Sequence, residues 1–316
     1  MALAMTAETA VLHLVRKANG QDPVIRFLDS YRAHRAGAEH ELVLLLKGFD
    51  SEADGAVFMA LAADVADRSI TVPDTGYDLG SYLTAARRLT HRSLCMLNSF
   101  SLILADDWLQ VLSAAHGAAG VGLAGATGSW ASSLTQLRYE FGLGGTYAAA
   151  QADRSRAMLR MRELTDATQS TAAVERPALR KLRTARSMAR RVVDFPPFPN
   201  YHLRTNAFLV DRGVLLGVRG GTMHDKLDAW ALEGGRHSIT RQVGRSGLRA
   251  VVVGRDGRAY EREDWPQSHT LWQGEQENLL IADNQTDSYA HGDAELRAVL
   301  SAFAWGLEAD PLGAGR

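Results

Sequence analysis

The stretch Leu94-Cys-Met-Leu-Asn-Ser-Phe-Ser101 is an apolar run that stops abruptly at Asn98 and Ser99. Four hydrophobic residues bounded by polar ones are typical of a buried strand in a parallel sheet. Ligands of open α/β sheets gather at the carboxyl ends of such strands, so Asn98 and Ser99 are predicted to face a ligand. Residues 104–112 then place Asp106 at the start of a helix, with apolar residues at helical spacing behind it.

Strand-like and helical segments alternate on either side of this run. The predicted strands before residue 130 are Ala10–Val15, Glu41–Lys47, Ser69–Val72, Leu94–Leu97 and Val121–Gly125. The helices between them are Pro23–Ala36, Ser51–Ala66, Asp78–Leu89 and Asp106–Ala115. Regular alternation with short connections predicts an α/β fold with a mainly parallel sheet flanked by helices.

The chain becomes helical between Ser132 and Val193 and then returns to mixed structure. From Asp153 to Val193 there are eleven arginines and lysines against four acids, so the positive charge is concentrated there. This segment is either a solvated helical arm or a surface attracted to anionic lipid or to an acceptor's phosphate. The later predicted elements are a strand at Tyr201–Val210, a helix at Asp225–Val243, a strand at Leu248–Val253 and a helix at Asp293–Trp305.

Composition favours an ordinary water-soluble enzyme or binding protein. A net charge of -1 gives no general attraction to nucleic acid, so no nucleic-acid partner is expected. The single cysteine, Cys95, lies in a predicted buried strand, which favours an inert thiol in a reducing compartment. Residues 1–15 lack the basic start of a secretory signal, and no apolar run reaches the ~20 residues of a membrane span, so a cytoplasmic location is expected.

Two sequence segments resemble family 2-like glycosyltransferases of the GT-A fold, and also transferases of rhamnan-type polysaccharide assembly. The first runs from Asp74-Thr-Gly-Tyr-Asp-Leu-Gly80 through Ala85-Ala-Arg-Arg88 to the Leu94 strand and Asp106-Asp-Trp-Leu109. The second is Gly220-Gly-Thr-Met-His-Asp-Lys-Leu-Asp-Ala-Trp-Ala-Leu-Glu233.

The resemblance implies one GT-A-like domain over residues 1–316. Within it, residues 10–130 would bind the nucleotide sugar, 132–195 would form a basic helical insertion, and 200–316 would form the acceptor side with a C-terminal helix. The implied activity is transfer of a sugar from a nucleotide-diphosphate donor to a glycan or lipid-linked acceptor. Peripheral contact with the inner face of a membrane would run through the basic segment 153–193.

The resemblance also implies roles for individual residues. Glu233 matches the carboxylate that removes the acceptor proton in inverting members; the alternative is a carboxylate on the helix surface or at a cap. Donor binding is assigned to Asp50, Asp78, Arg87, Asn98, Ser99, Arg204 and Asn206. The acceptor side is assigned to His202, Gly220, Gly221 and Arg236. For the polar strand from His202 to Asn206, simple edge-strand alternation remains open as the alternative.

Asn98 and Ser99 stand where the family carries its acidic metal-binding motif. Mn²⁺ or Mg²⁺ prefers anionic oxygen ligands, whereas Asn98 brings a neutral carbonyl. Three alternatives follow. Metal is bound weakly through Asp106 or a later residue, with His224 and His269 as further candidate ligands. Otherwise arginines and helix N-termini neutralise the diphosphate, or activity is lost. A catalytically silent nucleotide- or glycan-binding protein is the alternative function, and a nucleotidyltransferase of related fold is a third.

Overall fold

The computed structural model describes residues 7–51, 53–140, 177–221 and 223–306. Its strands are β1 Thr9–Arg16, β2 Glu41–Lys47, β3 Arg68–Val72, β4 Ser93–Leu97, β5 Leu102–Ile103, β6 Val121–Gly125, β7 Gly128–Ser129, β8 His202–Leu203, β9 Ala207–Asp211, β10 Arg249–Val253, β11 Ala259–Tyr260 and β12 Ile281–Ala282. Its α-helices are α1 Asp22–Ala33, α2 Ala56–Leu61, α3 Tyr77–Arg88, α4 Trp108–His116, α5 Ser133–Glu140, α6 Pro177–Asp194, α7 Arg212–Gly217, α8 Lys226–Gly234, α9 Ile239–Arg245, α10 Asn284–Ala290 and α11 Ala294–Trp305.

Eight strands form the main sheet, in the order β11-β10-β6-β9-β4-β1-β2-β3. β1 pairs in parallel with β2 and β4, and β10 pairs in parallel with β6. β9 is antiparallel to both of its neighbours, β4 and β6. This mostly parallel mixed sheet, flanked by helices, confirms the predicted α/β class and is consistent with a GT-A-like fold.

The sheet buries both of its faces, which explains why its strands are continuously apolar. In β1, Ala10, Leu12 and Leu14 belong to the core under α3, whereas Val11 and Val15 belong to the core under α1 and α4. Cys95 lies in this second core, where burial raises the pKa of its thiol to about 12, as expected of an inert thiol.

Three predicted elements are wrong in their extent. The predicted helix Ser51–Ala66 is helical only over α2, Ala56–Leu61. The predicted strand Tyr201–Val210 is interrupted between β8 and β9 by Arg204-Thr-Asn206, because these residues bond to Asp283, Glu233 and Thr127 rather than to a strand ladder. The predicted helix Asp225–Val243 is two helices, α8 and α9, separated after Gly234. Glycine at 234 and 235 weakens a helix at that point.

The basic insertion is visible only at its two ends, as α5 and α6, because residues 141–176 lie outside the described part of the chain. In α6, Arg190 binds three carboxylates, those of Asp194, Asp225 and Asp228, and so ties the helix to the start of α8. No helix within the described ranges has the length and apolar character needed to cross a membrane.

His13, in the middle of β1, is fully buried and stacks on Phe27 with ring centroids 3.6 Å apart. Neither ring nitrogen has a hydrogen-bond partner within the described residues. Because a buried imidazolium without a counter-charge is strongly unfavourable, burial lowers the pKa of His13 to about 3.

We therefore expect His13 to make the fold sensitive to acid. The unfolded chain takes up this proton near pH 6.5 and the folded chain only near pH 3, so stability present above pH 6.5 is lost as the pH falls toward 3. The loss approaches about 1.4 kcal/mol per pH unit within that window. His13→Leu should flatten the dependence by this amount in denaturant titrations at pH 7.5 and at ~5.5. Equal pH slopes for the two proteins would contradict it.

Candidate functional site

The carboxyl ends of β1, β2, β4 and β6 lie at one edge of the sheet, where ligands bind in open α/β folds. Because β9 runs in the opposite direction, its first residues reach the same edge. The turn Arg204-Thr-Asn206, which precedes β9, therefore lies among the strand ends. We call it the 204–206 turn.

Backbone bonds of the 204–206 turn join the strand end at Asn98 to helix α8. The N–H of Asn98 donates to the carbonyl of Asn206 at 2.9 Å. One residue earlier, the N–H of Thr205 donates to Oε1 of Glu233 at 2.8 Å. The tip of β4 and the predicted base thus lie on two sides of one turn.

Arg204 is buried and held from two directions. Its Nη2 donates to Oδ2 of Asp283 at 2.7 Å, and its backbone N–H donates to the carbonyl of Thr127 at 3.1 Å. Asp283 is 1% exposed, and its other oxygen caps α10 by accepting from Gln285 and Thr286. The Arg204 charge is therefore neutralised inside the protein.

Asn206 is buried beside Thr127, whose Oγ1 donates to Asn206 Oδ1 at 2.7 Å. The Nδ2 of Asn206 has no partner within the described residues. Reversing the amide would only exchange the satisfied atom for the unsatisfied one. A buried amide N–H without a partner is unfavourable, so a water or a ligand group at the strand ends is expected to accept from Asn206.

Asn98 uses its side chain to shape the loop after β4. Its Oδ1 accepts from the N–H of Phe100 at 2.9 Å and from Oγ of Ser101 at 3.2 Å, and Ser99 is buried next to it. This neutral, already bonded oxygen is a poor ligand for Mn²⁺ or Mg²⁺.

Lys47, the last residue of β2, positions the turn that carries Asp78. Its buried Nζ donates to the carbonyls of Thr75 and Tyr77, at 2.9 and 2.8 Å. Gly76 begins α3 with φ +72°, and a Cβ there would lie 3.1 Å from Gly80, so this position requires glycine. Burial lowers the pKa of Lys47, which the charge of Asp78 opposes.

Asp78 is partly buried in the first turn of α3. Burial raises the pKa of its carboxyl; the Lys47 charge lowers it and the Glu233 charge raises it again. The two acids, predicted from distant parts of the sequence, are therefore electrostatic neighbours. Glu233 itself lies near the end of α8 and not at a helix start; the residues at that start, Asp225 and Asp228, form a capping box.

His202 lies against the helix end that bears Glu233. Its Nδ1 is 2.8 Å from the carbonyl of Asn200, which can only accept, so Nδ1 carries the proton when the ring is neutral. The pKa of His202 is lowered, first by burial, while the Glu233 charge opposes the shift. A Cβ at Gly234 would lie 3.2 Å from the ring, so glycine there allows the close packing.

The structure brings together Asp78, Asn98, Ser99, His202, Arg204, Asn206 and Glu233. It does not bring Arg87 or Asp50 to them. Arg87 is exposed in the last turn of α3, about 14 Å along the helix from Asp78. Asp50 is exposed, and its N–H donates to Asp54, which pairs with Lys17.

The other acceptor-side residues lie around α8. Gly220 and Gly221 are exposed; a Cβ at Gly220 would contact Leu232, one residue before Glu233. Arg236 follows α8 and donates through Nε to the carbonyl of Val193. These residues border the turn of α8 that carries Glu233 without contacting it.

The three candidate metal ligands do not converge. Asp106 accepts from the N–H of Arg35, beyond the end of α1, at the opposite edge of the sheet. His224 is exposed before α8, and His269 lies 2.9 Å from Glu277. No group of three or more His, Cys, Asp and Glu side chains within the described ranges could hold a metal ion. Within the described ranges, these side chains therefore do not fit Mn²⁺ or Mg²⁺.

Four residues of this site had no individual role assigned from the sequence: Arg16, Lys47, Thr127 and Asp283. Arg16 and Lys47 each end an apolar strand with a cation, a signal that could have found them. Asp283 stands three residues before Thr286 as in a capping box, but its pairing with Arg204 depends on tertiary structure.

No protein-family model matches the chain, and no curated protein sequence matches it. Among solved structures, the chain is similar to the crystal structure of S. aureus TarS 1-349 in complex with UDP-GlcNAc, with 11% identity and a TM-score of 0.30 over 37% of this chain and 33% of that one. The crystal structure of S. aureus TarS 1-349 gives 11% identity and a TM-score of 0.29 over 37% and 34%. The chain thus spans about a third of those chains.

The buried Arg204–Asp283 pair should hold the site together. Asp283→Asn keeps a cap for α10 but leaves the Arg204 charge unpaired, so we expect a loss of about 3 kcal/mol in the free energy of unfolding. Asp264→Asn is the matched control, because its pair with Arg258 is exposed and worth about 1 kcal/mol or less. Denaturant titration of both variants measures the difference. Similar losses would contradict a structural role for the buried pair.

Proposed function

We propose that this protein is a glycosyltransferase, moving a sugar from a nucleotide-diphosphate donor to a glycan or lipid-linked acceptor. The observation that carries the proposal is the junction of Glu233, through Thr205, with the strand end at Asn98. A transferase of this kind needs a proton acceptor beside the donor pocket, and the α/β class puts that pocket at the strand ends.

Glu233 is the proposed base. Its Oε1 is held by the Thr205 N–H, while Oε2 has no hydrogen-bond partner within the described residues and can receive a proton. The acceptor hydroxyl oxygen bonds to the anomeric carbon, and its proton passes to Glu233. The bond from that carbon to the diphosphate breaks, and its electron pair leaves with the nucleoside diphosphate. A single displacement of this kind inverts the anomeric centre.

Fixed cations are the proposed stabilisers of the leaving diphosphate. Arg16 is exposed at the end of β1, near enough to Lys47 and Asp78 for their charges to interact. Its guanidinium matches a phosphate in charge and geometry. The amide of Asn206, which lacks a partner, and the carboxyl of Asp78 are suited to hydrogen bonds with donor hydroxyls.

A catalytically silent nucleotide- or glycan-binding protein is the second candidate. One observation favours it. Asn98 stands where GT-A glycosyltransferases carry an acid, and its Oδ1 accepts hydrogen bonds from Phe100 and Ser101 in its own loop. Such a protein would bind a nucleotide sugar without releasing nucleoside diphosphate. The experiment below separates the two candidates.

Peripheral membrane contact through residues 153–193 stays a prediction, and residues 153–176 of that segment lie outside the described ranges. In α6, Val192 and Val193 are 53% and 68% exposed, close to the exposed Arg186. Such a combination suits the surface of an anionic membrane.

Glu233→Gln should abolish turnover while preserving donor binding, because the amide retains the bond to Thr205 but cannot accept a proton. We expect nucleoside diphosphate release to fall about 100-fold or more. Release would be measured on a panel of UDP-, GDP- and dTDP-sugars, with and without Mn²⁺, and binding by calorimetry. The exposed Glu275→Gln is the control and should match the wild type.

Full turnover in Glu233→Gln would remove Glu233 as the base. Binding without turnover in the wild type would favour the silent protein. Absence of binding to every nucleotide sugar would reject the transferase and the nucleotide-binding form of the silent protein.

A further inference from the structure

Four arginines gather beside the predicted acceptor side: Arg236, Arg241, Arg245 and Arg262. We call them the arginine cluster. They come from the loop after α8, from α9 and from the turn of 3₁₀ helix at Arg262–Gln267. Arg241 is partly buried at the centre, and the other three are exposed.

The partners of the cluster are mostly neutral. Arg236 donates to the carbonyl of Val193, Arg245 donates to the carbonyl of Arg236, and Arg241 donates to Oδ1 of Asn200 at 3.1 Å. None of these three makes an ion pair with a carboxylate of the described residues. Arg262 pairs with its neighbour Glu263 and stacks over the ring of Tyr201.

Like charges held together without counter-charges repel one another. The pKa of Arg241 is lowered, first by its burial and then by the charges of Arg245, Arg236 and Arg262. Its Nε is buried and has no hydrogen-bond partner within the described residues. An anion among these groups would remove the repulsion and satisfy the free N–H.

Asn200 connects the cluster to the candidate catalytic residues. It is 1% exposed; it accepts from Arg241 through Oδ1 and from His202 through its carbonyl. Its Nδ2 donates to the carbonyl of Gly234, next to Glu233, at 2.6 Å. Asn200 and Gly234 therefore link the cluster to the predicted base.

We propose that the arginine cluster binds a phosphate group, and that this phosphate belongs to the acceptor. Several guanidinium groups from separate elements suit an anion with three or four oxygens around one centre, and each can donate two parallel hydrogen bonds. The assignment of the phosphate to an acceptor rests on the proposed function, whereas the phosphate site itself does not.

Phosphate binding by the wild type and three single variants tests the site. Arg245→Gln removes one charge at an exposed position whose partners within the described ranges are His237 and a carbonyl, so the fold should persist. Arg245→Lys keeps the charge, and Arg26→Gln makes the same charge change at the exposed surface of α1. Binding of inorganic phosphate is measured by calorimetry. Binding to phosphatidylcholine vesicles, with and without phosphatidylglycerol, is measured by co-sedimentation. Thermal unfolding of each variant checks that it is folded.

We expect Arg245→Gln to weaken phosphate binding about fivefold or more, Arg245→Lys to recover most of it, and Arg26→Gln to behave as the wild type. Binding to free phosphate indicates a soluble phosphate-bearing acceptor, and binding only to vesicles with phosphatidylglycerol indicates a lipid headgroup. Equal affinities of Arg245→Gln and Arg26→Gln in both measurements would overturn the proposal. Neither measurement uses a nucleotide sugar, so loss of the proposed transferase activity would leave this result standing.

Discussion

The site depends on the reversal of one strand. Because β9 runs antiparallel between β4 and β6, the turn before it is placed among the carboxyl ends of parallel strands. The 204–206 turn would otherwise be a surface loop. In this position its backbone binds Asn98 and Glu233, and its side chains bind Asp283 and Thr127.

Charge is distributed unevenly around this turn. On the proposed donor side, the charges of Lys47 and Asp78 interact, and the cation of Arg16 is exposed. On the proposed acceptor side, His202 lies near the charge of Glu233, and the arginine cluster lies behind Asn200. The proposed reaction of two phosphate-bearing substrates would need one anion on each side.

Most of the elements before residue 130 were predictable because each is a short-range pattern; the two-residue strands β5 and β7 were not predicted. A run of apolar residues that ends at Lys47 or Asn98 specifies a doubly buried strand regardless of its partners. The elements after residue 200 were less predictable, since the polar residues Arg204 and Asn206 in an apolar segment are explained only by Asp283 and Thr127. Glu233 was picked out by sequence resemblance, but its place near the end of α8 and not at a helix start was not foreseen.

The sequence alone determined the α/β class, the parallel core from β1 to β4, the inert Cys95 and the basic character of the segment after Asp153. These are properties of composition and of local periodicity. Tertiary structure decided which charges meet. Three features join residues that lie far apart in the chain. They are the antiparallel pairing of β9, the burial of Arg204 against Asp283, and the position of four arginines behind Asn200. Local pattern does not record such pairings, because a solvated arginine and a buried one have the same sequence neighbours.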